Sequence, residues 1–211
     1  MTITYPRDLI EPTQWANGCS FEPLEIQARN PSRGGAVQVV GLGPTVWSMK
    51  YQTVVLPESV AAAWEAWLSS MRGGRRTFKA WHPMRRYGIA YPSGPSGGFD
   101  GECVLDSVGG SLDTVTLSGL PIGYVLSVGD LMSWEHATNS QALHRVTEGA
   151  TANGSGIATV TVEPEIRASP GGTDVSLHKA WCHASIDAGS ASVRWQAGRK
   201  AVVSFSARQT I

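Results

Sequence analysis

The residues that could do acid–base or nucleophilic chemistry are dispersed along this sequence. Gly154-Ser155-Gly156 resembles part of a G-x-S-x-G nucleophile elbow, but it forms a glycine turn between predicted strands, with no helix after it. The chain contains no G-x-x-x-x-G-K-S/T phosphate loop. The acidic residues are scattered through turns, so a carboxylate pair for glycoside cleavage could be assembled only by tertiary structure. The sequence therefore predicts that the protein is not an enzyme and has no catalytic residues.

Metal and cofactor chemistry is not supported by the spacing of the cysteines and histidines. The sequence has three cysteines and five histidines: Cys19, Cys103 and Cys182; His82, His136, His144, His178 and His183. No two histidines lie four residues apart, and no two cysteines are closely spaced, as zinc sites usually require. Gly41-Leu42-Gly43 precedes Pro44 and a predicted strand, so it is no dinucleotide fingerprint. We expect free thiols, no metal site and no cofactor.

One basic stretch stands out as a candidate binding surface. It runs from residue 72 to residue 86 without an acidic residue, and its cations are Arg72, Arg75, Arg76, Lys79, Arg85 and Arg86. Aromatic residues are interleaved with these cations, as they are in surfaces that bind nucleic acid. A contact with another protein surface is the favoured interpretation, because another part of the same chain is strongly acidic.

The formal charge is zero overall but is unevenly distributed. Residues 97–180 hold ten acidic and three basic residues, a net charge of −7, and the remainder carries +7. The Pro92–Gly98 segment is rich in proline, glycine and serine, which is typical of a linker. We therefore predict a discontinuous domain made of residues 1–96 and 181–211, with residues 97–180 inserted as a second domain.

The pattern of apolar residues predicts a mainly β protein with one helix. The helix is expected over Pro57–Arg72, with Pro57 at its first turn and Gly73-Gly74 ending it. Its apolar face would comprise Val60, Trp64, Trp67, Leu68 and Met71. Strands are predicted over Ala36–Leu42 and Thr45–Leu56, the second with Trp47, Met49, Tyr51 and Val55 on one face. A terminal hairpin is predicted over Ser190–Ala207.

The middle of the chain has the turn spacing of a small β-barrel or sandwich. Its predicted strands are Glu102–Ser107, Thr114–Leu117, Leu131–Glu135, Leu143–Thr147, Ile157–Val162 and Val175–Trp181. The sequence has no stretch long and apolar enough for a membrane span, and Met1–Asp8 lacks the pattern of a signal peptide. We therefore expect a cytoplasmic place of assembly, with neither a membrane partner nor a specific nucleic-acid partner.

Two passages resemble the tail proteins of long, non-contractile-tailed bacteriophages. The first passage comprises Val46-Trp47-Ser48, Tyr51, Leu56, Trp64, Trp67-Leu68, Arg72-Gly73, Phe78 and Pro83. The second comprises Leu126, Val128-Gly129-Asp130, Leu143, Arg145-Val146, Gly156, Ala158-Thr159-Val160, Pro164 and Ile166-Arg167. Together these short motifs cover most of residues 36–207 and are similar to those of the distal tail protein family of siphovirus-type phages. The family's N-terminal pattern is weak here.

The resemblance implies a structural virion protein of the tail tip. In that family a belt-type β-sandwich with one helix forms a hexameric ring, which joins the tail tube to the tail-tip or baseplate hub. A second β-domain projects outward. The resemblance implies that Trp47, Tyr51, Trp64, Trp67 and Phe78 pack the helix on the sheet. It also implies that Gly73-Gly74 and the basic stretch turn the chain at the ring edge. We hypothesise that the basic stretch contributes to an intersubunit or tube-facing contact.

The sequence is also compatible with other functions. The protein could be another minor tail or tube protein, or its inserted domain could be a module that binds host-surface carbohydrate, with Tyr124 and Trp134 stacking on sugar. A cell-wall hydrolase is the weakest alternative. We expect a homo-oligomer located in the virion, with the tube and hub proteins as partners and a host glycan as a further partner of the carbohydrate-binding alternative.

Overall fold

The computed structural model describes residues 3–11, 13–31, 34–35, 37–95, 97–137, 140–167 and 172–210. It is mainly β, with 48% strand and 7% helix, which confirms the predicted fold class. The elements in the first half of the chain are β1 (Ser20–Leu24), β2 (Gln27–Pro31), β3 (Val37–Gly41), β4 (Val46–Gln52), β5 (Leu56–Pro57), α1 (Glu58–Ser70), β6 (Thr77–Trp81), β7 (Glu102–Val108) and β8 (Thr114–Ser118). Those in the second half are β9 (Val125–Leu126), β10 (Leu131–Ala137), β11 (Ser140–Glu148), β12 (Ala150–Thr151), β13 (Ala158–Glu163), β14 (Thr173–Ser176), β15 (Trp181–Ile186), β16 (Ser192–Gln196) and β17 (Lys200–Gln209).

The largest sheet combines strands from both parts of the chain. Its order is β1-β4-β17-β15-β6, and β17 also pairs with β16 and β5. The long strand β17 is the centre, because it pairs with β4 along Ser204–Arg208 and with β15 along Ala207–Gln209. The terminal hairpin is therefore part of the sheet that the first 81 residues begin.

Helix α1 begins and ends at residues whose types favour these positions. Pro57 is the N-cap residue in an extended conformation, and Glu58 lies in the first turn, where the helix dipole favours an acidic residue. Met71 closes the helix, and Arg72, Gly73 and Gly74 follow with positive φ angles. Gly74 has a second constraint, because a Cβ at this position would overlap the backbone oxygen of Ile186. The predicted helix was two residues longer at its C-terminal end, where these left-handed residues turn the chain.

An aromatic cluster joins α1 to the sheet. Trp64 and Trp67 are fully buried and contact Phe205 of β17, at ring-centroid distances of 5.9 and 5.8 Å. Phe78 of β6 contacts Trp67 edge to face at 5.3 Å, and Tyr51 stacks on Phe205 at 5.0 Å. Each of these rings removes a large apolar area from water, so the cluster is the main apolar contact between helix and sheet.

The middle of the chain forms a closed barrel. Its strand order is β10-β11-β13-β8-β7-β14, closed by the pairing of β14 with β10. Alternate residues of these strands fill the interior, including Leu105, Val115, Leu117, Trp134 and Val162, each fully buried. The domain boundaries at residues 96/97 and 180/181 stay predictions; every barrel strand lies between Glu102 and Ser176.

Some predicted strands needed correction. Val55 does not continue the buried face of β4, because β4 ends at Gln52 and Val55 is exposed. The buried residue in this turn is Thr53, whose hydroxyl accepts a hydrogen bond from the Val203 amide at 3.1 Å. The segment Val175–Trp181 is not one strand, because β14 ends at Ser176 and β15 begins at Trp181 in the other sheet. Strands β1, β2, β6, β9 and β12 were not predicted, and β15 was predicted only at its first residue, Trp181.

Candidate interaction surfaces

The predicted basic stretch divides into cations with and without partners in their own chain. Arg72 and Arg75 lie in the exposed turn after α1, and their side chains have no partner among the described residues. Arg76 lies over the ring of Tyr5, 4.6 Å from its centroid, and donates to the Tyr5 hydroxyl. The stretch is therefore not a continuous free cationic surface.

The remaining cations of the stretch hold chain segments together. Lys79 pairs with Asp8 at 3.3 Å, and Arg86 pairs with Glu11. Glu11 also receives Lys179 at 2.8 Å, so one carboxylate joins two cations from distant parts of the chain. These pairs are partly exposed, and exposed ion pairs contribute little net stability. They neutralise, within the chain, cations of the basic stretch that the sequence predicts to contact a partner.

Arg85 and the loop that follows it attach to the barrel. The Arg85 guanidinium donates to the Gly129 carbonyl at 3.2 Å. The buried carboxylate of Asp130 accepts hydrogen bonds from the amides of Ile89 at 2.7 Å and Ser127 at 2.8 Å. Burial raises the pKa of Asp130, against the effect of these two hydrogen bonds. Residues 85–89 are thus fastened to the turn that precedes β10.

A second contact between the large sheet and the barrel is centred on Trp47. Its Nε1 donates to the Leu143 carbonyl at 2.7 Å in a fully buried hydrogen bond. The Arg145 guanidinium lies 5.1 Å from the Trp47 ring centroid and donates to the Phe21 carbonyl at 2.9 Å. Arg145 also pairs with Glu22 at 3.1 Å. Trp47 therefore joins the sheet to the barrel, in contrast to the helix-packing role that the resemblance implies.

The ion pairs between the two parts of the chain are opposite in sign to what their net charges predict, which is bases of the first part meeting acids of the barrel. Two of the barrel-side bases, Arg145 and Lys179, pair with Glu22 and Glu11 of the base-rich part of the chain. The net charge of each part says little about which charges meet, because a contact is made by a few placed side chains. No ion pair among the described residues joins the basic stretch to an acidic residue of the barrel.

The side chains predicted to form the core are buried, including two that an alternative function needed at the surface. Trp47, Tyr51, Trp64, Trp67 and Phe78 are each at most 1% exposed. In the barrel, Trp134 is fully buried and Tyr124 is 6% exposed. Neither Tyr124 nor Trp134 offers a ring face on which a sugar could stack.

A small cavity lies beside two histidines of the barrel wall. It holds about 30 Å³ and is lined by His136, His144, Pro164, Arg167 and neighbouring residues. His144 Nδ1 donates to the Pro164 carbonyl at 2.6 Å, so its Nε2 carries the lone pair, and it has no partner in the described residues. Burial lowers the pKa of His144 to about 4. Such a space accommodates about one or two water molecules.

The described residues contain no group of three or more histidine, cysteine or acidic side chains placed to hold a metal ion. The three cysteines are free thiols. Cys103 and Cys182 are buried, and burial raises the pKa of Cys103 to about 12, so its thiol is protonated and unreactive near neutral pH. No helix in the described ranges is long and apolar enough to cross a membrane.

The most distinctive surface is the hairpin of β2 and β3, which we call the arm (Gln27–Pro31 and Val37–Gly41). The two strands pair with each other and with no other strand among the described residues, and all ten residues are exposed. Val37, Val39 and Val40 on β3 are 59%, 49% and 48% exposed. Ile26 and Leu42 at the base of the arm are 47% and 65% exposed.

The arm has apolar side chains on both faces. Val37 and Val39 point to one face and Val40 to the other, because side chains alternate along a strand. An isolated two-stranded hairpin is marginally stable in water, and contiguous exposed apolar surface usually marks an interaction site. The sequence analysis predicts β3 but not β2. The feature that could have indicated β2 is the turn-forming composition of Pro31 to Gly35, which separates two runs of five residues.

No protein-family model matches the chain. No curated protein matches it either.

Proposed function

We propose that this protein is a structural component of a bacteriophage virion, a ring-forming adaptor that connects the tail tube to the tail-tip or baseplate hub. The proposal rests on the motif resemblance to distal tail proteins together with an exposed apolar arm. The protein would act by assembly and not by catalysis. Its partners would be further copies of itself, the tube protein and the hub protein.

The arm is the observation that carries the proposal. Five large apolar side chains at or near the arm lie in water in the single chain: Ile26, Val37, Val39, Val40 and Leu42. An arm that is apolar on both faces needs a neighbour that covers it. A second copy meets this need by a head-to-tail contact, and such contacts close into a ring when the rotation between subunits is right.

The rest of the fold provides a suitable base for the arm. The arm enters from β1 and leaves into β4, two adjacent strands of the large sheet. β4 is anchored in the aromatic core through Trp47, Met49 and Tyr51, which are buried. A rigid base of this kind fixes the direction of the arm, which a closed ring requires.

The two cations of the basic stretch that have no partner among the described residues give weaker support for the proposal. Arg72 and Arg75 are exposed at the end of α1 without partners in the described chain, and we assign them to the rim of a subunit or tube contact. Rim charges mainly affect the rate and salt dependence of association. Replacing Arg76, Arg85 or Arg86 would disturb contacts inside the chain and would not test the interface.

The test is electron microscopy and native mass spectrometry of the purified protein. We expect a discrete ring with a central channel and a mass of six chains. The variant carrying Val39→Glu and Val40→Glu should be monomeric, with an unchanged circular dichroism spectrum and unfolding midpoint.

The matched control carries Ile122→Glu and Val128→Glu, which place the same two charges on apolar residues that are 75% and 62% exposed outside the arm. This variant should assemble like the unaltered protein. A wild-type protein that stays monomeric at high concentration, or arm variants that still form rings, would refute the proposal.

A further inference from the structure

Two Asn-Gly pairs occur in this sequence, Asn17-Gly18 and Asn153-Gly154, and each is preceded by alanine. In such pairs the glycine backbone nitrogen can attack the asparagine side chain, because glycine has no Cβ to obstruct it. The two pairs have closely matched neighbours, so their intrinsic reactivities are similar. Both asparagines are exposed. A difference between their rates in the folded protein must therefore come from local structure.

Asn153 is held by hydrogen bonds that oppose this attack. Its Oδ1 accepts from the backbone amides of Ser155 at 2.9 Å and Ile157 at 3.1 Å. The turn is also closed by the backbone, with the Gly156 amide donating to the Asn153 carbonyl at 3.0 Å. The side-chain carbonyl must leave these donors before its carbon can approach the Gly154 nitrogen.

Asn17 lacks such restraints. Its side-chain amide has no hydrogen-bond partner in the described residues, and neither does the Gly18 amide. The turn that contains them is closed by one long hydrogen bond, from the Cys19 amide to the Ala16 carbonyl at 3.4 Å. Little has to be broken for the Gly18 nitrogen to reach the Asn17 side chain.

We infer that Asn17 is a site of spontaneous deamidation in the folded protein and that Asn153 is protected. The Gly18 nitrogen loses its proton and forms a bond to Asn17 Cγ, the Cγ–Nδ2 bond breaks, and ammonia leaves. The resulting five-membered imide is opened by water at either carbonyl, giving aspartate or isoaspartate. No oxidant is needed; the reaction consumes one water molecule and releases one ammonia. The inference does not depend on the proposed function.

The position of Asn17 gives the reaction a structural consequence. Residue 17 lies three residues before β1, the edge strand that pairs with β4 and leads into the arm. Isoaspartate adds one carbon to the main chain and a negative charge at this turn. The neighbouring contacts of Cys19 with the Gln52 backbone at 3.4 Å fix the start of the strand, so the product should loosen the entry to β1.

The experiment follows both sites in one sample of the intact chain. The protein is incubated at mildly alkaline pH and physiological temperature, under reducing conditions, and digested with trypsin after timed intervals. Asn17 lies in the peptide Asp8–Arg29 and Asn153 in the peptide Val146–Arg167. Mass spectrometry measures the exchange of NH₂ for OH, and isoaspartate is detected with an isoaspartyl methyltransferase.

We expect Asn17 to react about thirtyfold faster than Asn153 in the folded protein, the ratio that corresponds to two hydrogen bonds of about 1 kcal/mol each. In concentrated urea the two rates should become nearly equal, because the flanking residues are alike. The Gly18→Ala variant should slow reaction at Asn17 alone. Its Cβ would lie 2.6 Å from Gln52 Oε1, the end of a flexible side chain, so the fold accommodates it.

Two results would overturn the inference. One is equal rates at the two sites in the folded protein, within a factor of about three, a ratio smaller than one hydrogen bond provides. The other is faster reaction at Asn153. A large native ratio that persisted in urea would show that sequence neighbours, and not the hydrogen bonds, set the difference.

Discussion

His144 should make the folded protein sensitive to mild acid. Its ring stacks on Trp134 with a centroid distance of 4.3 Å, and it is 4% exposed. Nδ1 already donates to the Pro164 carbonyl, so an added proton would go to Nε2, which has no acceptor among the described residues. Burial therefore lowers the pKa of His144 from 6.5 to about 4.

The sign and size of the effect follow from this difference. As pH falls below 6.5, the unfolded chain binds a proton that the folded chain does not bind until pH approaches 4. Stability contributed by neutral His144 is thus complete at neutral pH and is lost as pH falls. Each pKa unit corresponds to about 1.4 kcal/mol, so the loss is about 3.5 kcal/mol in full and about 2.5 kcal/mol at about pH 4.5.

The assay is urea unfolding at about pH 7 and about pH 4.5, with the unaltered protein and His144→Phe. Phenylalanine keeps the stacked ring but loses the hydrogen bond to Pro164, so the variant should be less stable at neutral pH. Its further loss on acidification should be smaller by about 2.5 kcal/mol. His136→Phe, which alters a less buried imidazole at the same cavity, is the control. Equal acid losses in His144→Phe and the unaltered protein would refute the reasoning.

Three further substitutions test how the fold is held together. Trp47→Phe should lower the free energy of unfolding by about 1–3 kcal/mol, because it leaves a buried carbonyl of the barrel without its donor; urea unfolding measures it. Gly74→Ala should destabilise by about 1–3 kcal/mol, because φ is +90° and a Cβ would overlap a backbone oxygen, whereas Gly73→Ala has open space and should cost less in a thermal melt. Asp130→Asn should cost about 1–3 kcal/mol and expose residues 85–89 to trypsin, because the asparagine oxygen is a neutral acceptor for one of the two backbone amides and the other amide has no acceptor.

The parts of the fold that could be predicted are those set by local sequence. Pro57 and Gly73-Gly74 bracket the helix, and the apolar spacing of Trp64, Trp67 and Met71 marks its buried face, so the helix was found to within two residues. Alternation along Trp47, Met49 and Tyr51 likewise identified a half-buried strand. These signals depend on neighbours in sequence, and distant contacts do not change them.

The parts that could not be predicted depend on residues far apart in sequence. The role of Trp47 is set by Leu143, 96 residues away, and nothing near Trp47 indicates that its indole nitrogen faces the barrel. The failure at Val55 has the same origin, because Thr53 is drawn inward by the amide of Val203, 150 residues away. The arm strand β2 was missed because its residues are largely polar, small or proline, with no apolar alternation.

The basic stretch shows why a sequence pattern of charge is weaker evidence for an interface than an uncovered apolar surface. Three of its six cations, Arg76, Lys79 and Arg86, already contact side chains of their own N-terminal segment. Their attraction to an outside partner is reduced, and salt weakens what remains. The valines of β3 are about half exposed among the described residues, and the free energy of burying them does not depend on ionic strength in the same way. Assembly driven by the arm should therefore persist in high salt, whereas assembly driven by the basic stretch should dissociate there.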